Sequence, residues 1–184
     1  IFLLDSDDYF KKNKVSAMMK YFNDNKKLRF TSDIPIKVNK DNKTIFRYSN
    51  RDNIIKIWPT IFPTSSIVFK KQLKKKIFQY IKVDKFNKLE VDFRLCVLAN
   101  LLEKKTNRFN NNLTFYTQDT NGIMSNYKTF SLNWWQKRYQ AHLFLFKLLR
   151  KFNMNKVNSL DYFTTKALFY LNFYIFSLFT RNKK

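Results

Sequence analysis

The sequence predicts an α/β chain, and three observations carry that prediction. An apolar run, Ile1 to Leu4, ends in a cluster of carboxylates, Asp5, Asp7 and Asp8. Val15, Met18, Met19 and Phe22 then recur at helical spacing, so strand, acidic loop and helix follow one another. Farther along, short β-prone runs are interleaved with helical ones. In open α/β sheets ligands collect beyond the carboxyl ends of strands, which is where the acidic loop would sit.

Ile1 to Leu4 is read as a buried strand, and Val15 to Phe22 as the apolar face of the first helix. Leu28 to Ile34 and Thr44 to Tyr48 read as short strands, joined as a hairpin across the turn-forming Asn39-Lys40-Asp41-Asn42. The prolines of Trp58-Pro59-Thr60-Ile61-Phe62-Pro63-Thr64-Ser65-Ser66 bar a regular helix and disfavour a central strand, so this stretch is expected to be an ordered loop. Ile67-Val68-Phe69 reads as a strand. Gln72 to Ile81 follows as a helix that buries Leu73, Ile77, Phe78 and Ile81. A helix over Asp92 to Glu103, a strand over Leu113 to Tyr116, and helices over Asn133 to Phe152 and Leu160 to Phe179 complete the series.

A chain of 184 residues fits one domain. It holds one Gly, so tight Gly-dependent turns are scarce. It opens on an apolar strand, Ile1 rather than Met, with no earlier element to pair with, and is expected to be a portion of a longer protein. The formal charge of +23 raises nucleic acid as a partner. Lys is spread through nearly every segment beside Asn, Ile, Phe and Tyr, a compositional bias that weakens that reading. Cys96 stands alone in the apolar stretch Phe93 to Leu102, so it forms no internal disulfide and reads as a buried, inert thiol suited to a reducing cytoplasm. Ala167 to Thr180 is uncharged but shorter than the roughly 20 residues a spanning helix needs. It reads as a core or interfacial helix.

Asp5, Asp7 and Asp8 carry the clearest chemical signal. Like charges packed this closely need a cation, a helix N-terminus or solvent to offset them. Hard oxygen ligands of this kind suit Mg²⁺ or Mn²⁺, which can bridge to a substrate diphosphate. Capping of the following helix by Asp7 or Asp8 is the competing explanation. Lys70, Lys71, Lys74, Lys75 and Lys76 form a solvated helix face or a surface drawn to anionic lipid. The aromatic C-terminal helix, followed by Arg181, Lys183 and Lys184, suits the same surface.

Leu4-Asp5-Ser6-Asp7-Asp8 resembles the Asp-X-Asp motif of family 2 glycosyltransferases. Phe62 to Lys70 is similar to the segment after the central hairpin of those enzymes. Asp92, in Leu89-Glu90-Val91-Asp92-Phe93-Arg94-Leu95, resembles the Asp of their Glu-Asp motif, and Trp134-Trp135-Gln136-Lys137-Arg138 resembles a Trp-Trp-X-Arg-Arg helix of a bacterial subgroup. The resemblance covers residues 1 to about 150. Val91 replaces the usual Glu before the base, which leaves Glu90 as a fallback, and Tyr116-Thr117-Gln118-Asp119 lacks the Arg and His of the family's Tyr-Arg-X-His loop. The half that binds the nucleotide in that family, before the acidic motif, has no counterpart in these residues.

The resemblance implies a partial GT-A fold, like that of nucleotide-diphospho-sugar transferases: a mixed sheet flanked by helices over residues 1–130, with a C-terminal helical extension over 131–184. It implies an inverting, metal-dependent glycosyltransferase, of which this portion alone is expected to be inactive. The donor would be a nucleotide-diphosphate sugar and the acceptor a glycan or lipid-linked hydroxyl. Asp5 and Asp7 would hold Mg²⁺ or Mn²⁺, and Asp5, Asp7, Asp8 and Ser125 would bind the donor. Asp92 would be the general base, about 8 to 12 Å from Asp7 so that one hexose fits between them. Thr64, Ser65, Ser66, Trp134 and Arg138 would face the acceptor. Adjacent helical residues diverge by about 100°, so one of Trp134 and Trp135 belongs to the core, and His142 reads as structural.

The alternative function is a non-catalytic basic module that binds a membrane surface or nucleic acid. A phosphate-binding surface has no use for three clustered carboxylates, so nucleic acid is not the expected partner. The expected location is the cytoplasm, peripheral at the inner face of the cell membrane.

Overall fold

The computed structural model describes residues 1–38, 43–45, 58–81, 86–103, 107–117, 127–155 and 159–181. The chain forms two compact units, one built from Ile1–Lys82 with Glu90–Asp119 and the other from Val83–Leu89 with Thr120–Lys184. The predicted α/β class holds at this level, with mixed sheet and helices in the first unit and two long helices in the second.

The first unit runs β1 (Tyr9–Phe10), α1 (Lys14–Asp24), β2 (Phe30–Ser32), β3 (Ile36–Val38), β4 (Lys43–Ile45), β5 (Ile67–Phe69), α2 (Lys74–Ile81), α3 (Val91–Glu103), β6 (Asn107–Arg108) and β7 (Thr114–Thr117). Its four-stranded sheet has the order β1-β7-β3-β4, with β7 antiparallel to β1 and parallel to β3. The three-stranded sheet has the order β5-β2-β6, with β2 antiparallel to β5 and parallel to β6.

The expected hairpin changes partners. Ile36 pairs with Ile45 and Val38 with Lys43, so β3 and β4 form it. The predicted strand over Leu28 to Ile34 becomes β2 and pairs instead with β5 and β6. Residues 39–42 and 46–48 of the prediction lie outside the described residues. Ile1 to Leu4 is not a buried strand. It makes one antiparallel bridge, Phe2 to Val68, beside β5, while Ile1 and Leu4 stay exposed. A segment with a neighbour on one side only keeps its other side open to solvent.

The predicted face of α1 holds at Met18 and Phe22 but not at Val15 and Met19. The buried face is Lys14, Met18 and Phe22, whereas Val15 and Met19 are exposed. Met18 and Phe22 join Leu28, Val68 and Leu113 in one apolar cluster, and the Lys14 stem continues their stripe. In α2 the buried residues include Leu73 just before the helix and Ile77 within it, but Phe78 is 60% exposed, contrary to expectation. The apolar run in α3 is buried from Arg94 through Ala99, as expected of a helix that is apolar on most sides. Arg94 satisfies its buried guanidinium in part by donating to the Ile81 carbonyl at 3.3 Å. The prolines end where a short 3-10 turn, Thr64–Ser66, leads into β5.

In the second unit, α4 (Leu132–Lys151) packs on α5 (Leu160–Arg181). Ser131 caps α4, its hydroxyl accepting from the Trp134 amide at 3.2 Å. Tyr139 stacks on Phe169, and Phe146 meets Tyr162 edge to face. No described helix is long and apolar enough to cross a membrane.

Candidate functional site

The acidic loop is held from two sides. The Asp5 amide donates to the Ser65 hydroxyl at 2.8 Å, which ties the loop to the Thr64–Ser66 turn. The Thr117 amide donates to Asp8 Oδ1 at 2.8 Å and its hydroxyl donates to the Asp7 carbonyl at 2.6 Å. The end of β7 therefore fixes the other side. Between these anchors the Asp8 amide closes a turn onto the Asp5 carbonyl at 3.2 Å.

A dry polar floor connects the same elements. Lys14 has no exposed surface, and its ammonium lies 3.1 Å from Asp33 Oδ1. It also donates to the Ser65 carbonyl and to Thr114 Oγ1, both at 2.6 Å. Three acceptors thus match its three protons. The Phe10 ring covers the ammonium at 3.9 Å. Asp33 in turn accepts from the Leu113 amide at 3.0 Å and the Thr114 hydroxyl at 2.9 Å. Burial lowers the Lys14 pKa despite the opposing pull of Asp33 and Asp8.

The carboxylates differ in environment. Asp7 is exposed. Burial, followed by the Asp7 charge, raises the Asp5 pKa, against the Thr64 hydroxyl. Asp8 is buried, and burial raises its pKa although Ser65 and the Thr117 amide favour the anion. Its second oxygen, Oδ2, is buried without a bonded donor in place, even though Ser65 is close enough to favour the charge.

Asp92 lies in the first turn of α3, where its carboxylate accepts from the Phe93 amide at 2.6 Å. This is the local role open to any acid at a helix start. Tyr116 on β7 connects Asp92 electrostatically with the acidic loop. Burial raises the phenol's pKa first, and the charges of Asp8, Asp92, Asp7 and Asp5 raise it further.

Other expected site residues fall elsewhere. Ser65 and Ser66 are fully buried; Ser65 supports the acidic loop and Ser66 donates to the Pro63 carbonyl at 2.8 Å. They have no surface to offer an acceptor, because the bridge to Asp5 and the closure of the turn occupy them. Thr64 is half-buried. Ser125 lies outside the described residues. Trp134 and Arg138 belong to the second unit, where the guanidinium stacks on the Trp134 ring at 5.4 Å, pairs with Asp161 and donates to Thr165 at 3.1 Å. Trp135 is the buried member of its pair. His142 is buried beside Asp161 at 3.2 Å. Burial raises the Cys96 thiol to about 12, in keeping with an inert role.

Sequence reasoning missed Lys14, Asp33, Thr114, Tyr116 and Thr117. One signal was available: Lys14 precedes Met18 and Phe22 by four and eight residues, a cation on the apolar stripe of a helix.

Asp5 and Asp7 are the exposed carboxylates of the loop, open to a cation, and the buried Asp8 Oδ2 beside them has no bonded donor. Among the described residues, no group of three or more His, Cys, Asp or Glu side chains is arranged to hold a metal by itself. Two carboxylates remain compatible with Mg²⁺, which completes its shell with water and substrate phosphate oxygens. No family model, curated protein or solved structure matches the chain.

Proposed function

We propose that the first unit is the metal- and acceptor-side portion of an inverting GT-A glycosyltransferase acting on a nucleotide-diphosphate sugar. The observation that carries this reading is the anchoring of the acidic loop by Ser65 on one side and Thr117 on the other, with the Asp92 charge felt at Tyr116 on the same strand end. Paired tasks need such an arrangement, with carboxylates for a cation and a separate carboxylate for a proton.

Asp7, with Asp5, would hold Mg²⁺ or Mn²⁺, whose charge supports the departing diphosphate. Asp92 accepts the proton of the glycan or lipid-linked acceptor hydroxyl. The acceptor oxygen bonds to the anomeric carbon as the bond to the diphosphate breaks, so the centre inverts. Asp8, held by Thr117 and near Ser65, orients the loop beside the donor. Trp134 and Arg138 belong to the second unit. Their pairing with Asp161 and each other gives them a packing role.

The test is kinetic and uses the enzyme that contains this chain. Asp92→Asn is expected to lower kcat about 10²-fold or more with donor binding little changed. Asp7→Asn is expected to abolish the response to added Mn²⁺. Near-normal turnover in Asp92→Asn with loss in Glu90→Gln transfers the base to Glu90. Full activity in excess chelator rejects the metal assignment, and transfer-independent binding to duplex DNA favours the non-catalytic basic module.

A further inference from the structure

Helix α5 is apolar on two sides, and its packing accounts for one. Tyr162, Thr165 and Phe169 turn toward α4, where Tyr139, Arg138 and Phe146 meet them. Along the other side Leu160, Phe163, Leu171, Tyr174 and Ile175 share one face at about 100° per residue, and all are exposed. Leu160 is 84% exposed and Phe163 55%. A run of large apolar side chains in water is unfavourable and marks a surface that meets something.

The surroundings of this stripe are cationic. Asp84 and Asp161 are the only acidic residues of the second unit, which has many more Lys and Arg, and Asp161 is already engaged by Arg138 and His142. At the end of α4, Leu143, Phe146, Lys147, Leu149, Arg150 and Met154 line a cleft of about 550 Å³. Phe146 touches Tyr162 with ring centroids 4.9 Å apart, which sets the cleft beside the packed side of α5. An apolar floor with Lys147 and Arg150 at its side suits a group with an anionic head and a hydrocarbon body.

We propose that this exposed stripe of α5 lies on an anionic lipid bilayer. The stripe enters the interface parallel to the surface, the mode open to an amphipathic helix that does not span. Tyr174 suits that depth because its ring is apolar and its hydroxyl polar. The excess of Lys and Arg in the second unit, Lys147 and Arg150 among them, draws it toward lipid phosphates. A second copy of the chain is the weaker occupant, since pairing this face with itself opposes two strongly positive surfaces. The proposal does not depend on the glycosyl-transfer reading.

The experiment is flotation of the whole chain with phosphatidylcholine vesicles, with and without phosphatidylglycerol. Binding is expected only with the anionic vesicles, weakening as salt rises. A Leu160→Ser, Phe163→Ser, Leu171→Ser triple variant is expected to bind about tenfold more weakly or worse, with its thermal unfolding temperature retained. Arg150→Glu is expected to reduce binding in the same direction. Unchanged binding by both variants overturns the proposal and assigns lipid attraction to other lysines. A large fall in unfolding temperature of the triple variant shows that the stripe is covered within the chain. A dimer that the triple variant dissociates, with no vesicle binding in either form, assigns the face to a second copy.

Discussion

Each unit contains a charged network that links distant parts of its fold, and the two are built in different media. Lys14 and Asp33 pair with side chains that are 1% and 0% exposed. Arg138 and Asp161 pair with side chains 36% and 31% exposed. Inside, the cost of removing charge from water is offset only when every proton and lone pair is met, and Lys14 meets three acceptors under an aromatic ring. At the surface, water already solvates both partners, so their geometry can be less complete. Tight polar construction in this protein therefore marks the floor beneath the acidic loop. The α4 and α5 pairing rests mainly on stacked aromatic rings.

The comparison is sharpest for the buried pair. Lys14→Met is expected to cost about 3 to 5 kcal/mol, because it leaves the Asp33 carboxylate buried without its cation. Urea unfolding measures it. The double variant Lys14→Met, Asp33→Leu is expected to recover most of that loss, since the unpaired charge disappears with its partner. A loss below about 1 kcal/mol for Lys14→Met would place the two networks in one class.

A smaller effect is expected at the surface pair. Arg138→Ala should cost at most about 1 kcal/mol through its ion pair, and less in high salt, with some further loss from its stacking on Trp134. Double-mutant cycles with Asp161→Asn isolate the pair. A coupling as large as that of Lys14 would break the distinction.

The smallest expected effect is a shallow pH dependence from His142. Burial lowers its pKa, Arg138 adds to the lowering, and Asp161 opposes it. The folded state therefore prefers the neutral ring. Its contribution is complete above the ordinary value of 6.5 and is lost as pH falls through the lower folded value. Melts of the parent and His142→Phe at descending pH should show the parent losing stability faster below pH 6.5. Parallel curves would mean that His142 titrates as it does in the unfolded chain.

Legibility follows the range of the interaction. The long helices α3, α4 and α5 lie close to their expected spans because many turns repeat one pattern. The two-residue strands β1 and β6 give no such signal, and β2 was assigned the wrong partner because pairing is non-local. The clustering of Asp5, Asp7 and Asp8 was legible as local density of charge. The support from Ser65, 60 residues from Asp5, was not.

From the sequence alone come the α/β class, the helical periods, the isolation of Cys96 and the excess of positive charge. Those depend on neighbours a few residues apart or on composition. Tertiary structure alone decided that Lys14 is buried, that Ser65 and Thr117 hold the acidic loop, and that one side of α5 is exposed. Each depends on surfaces brought together across the chain, as when Lys14 meets Thr114 over a separation of 100 residues. Helical spacing establishes which residues share a face, but the medium that face meets is set by the elements packed against it.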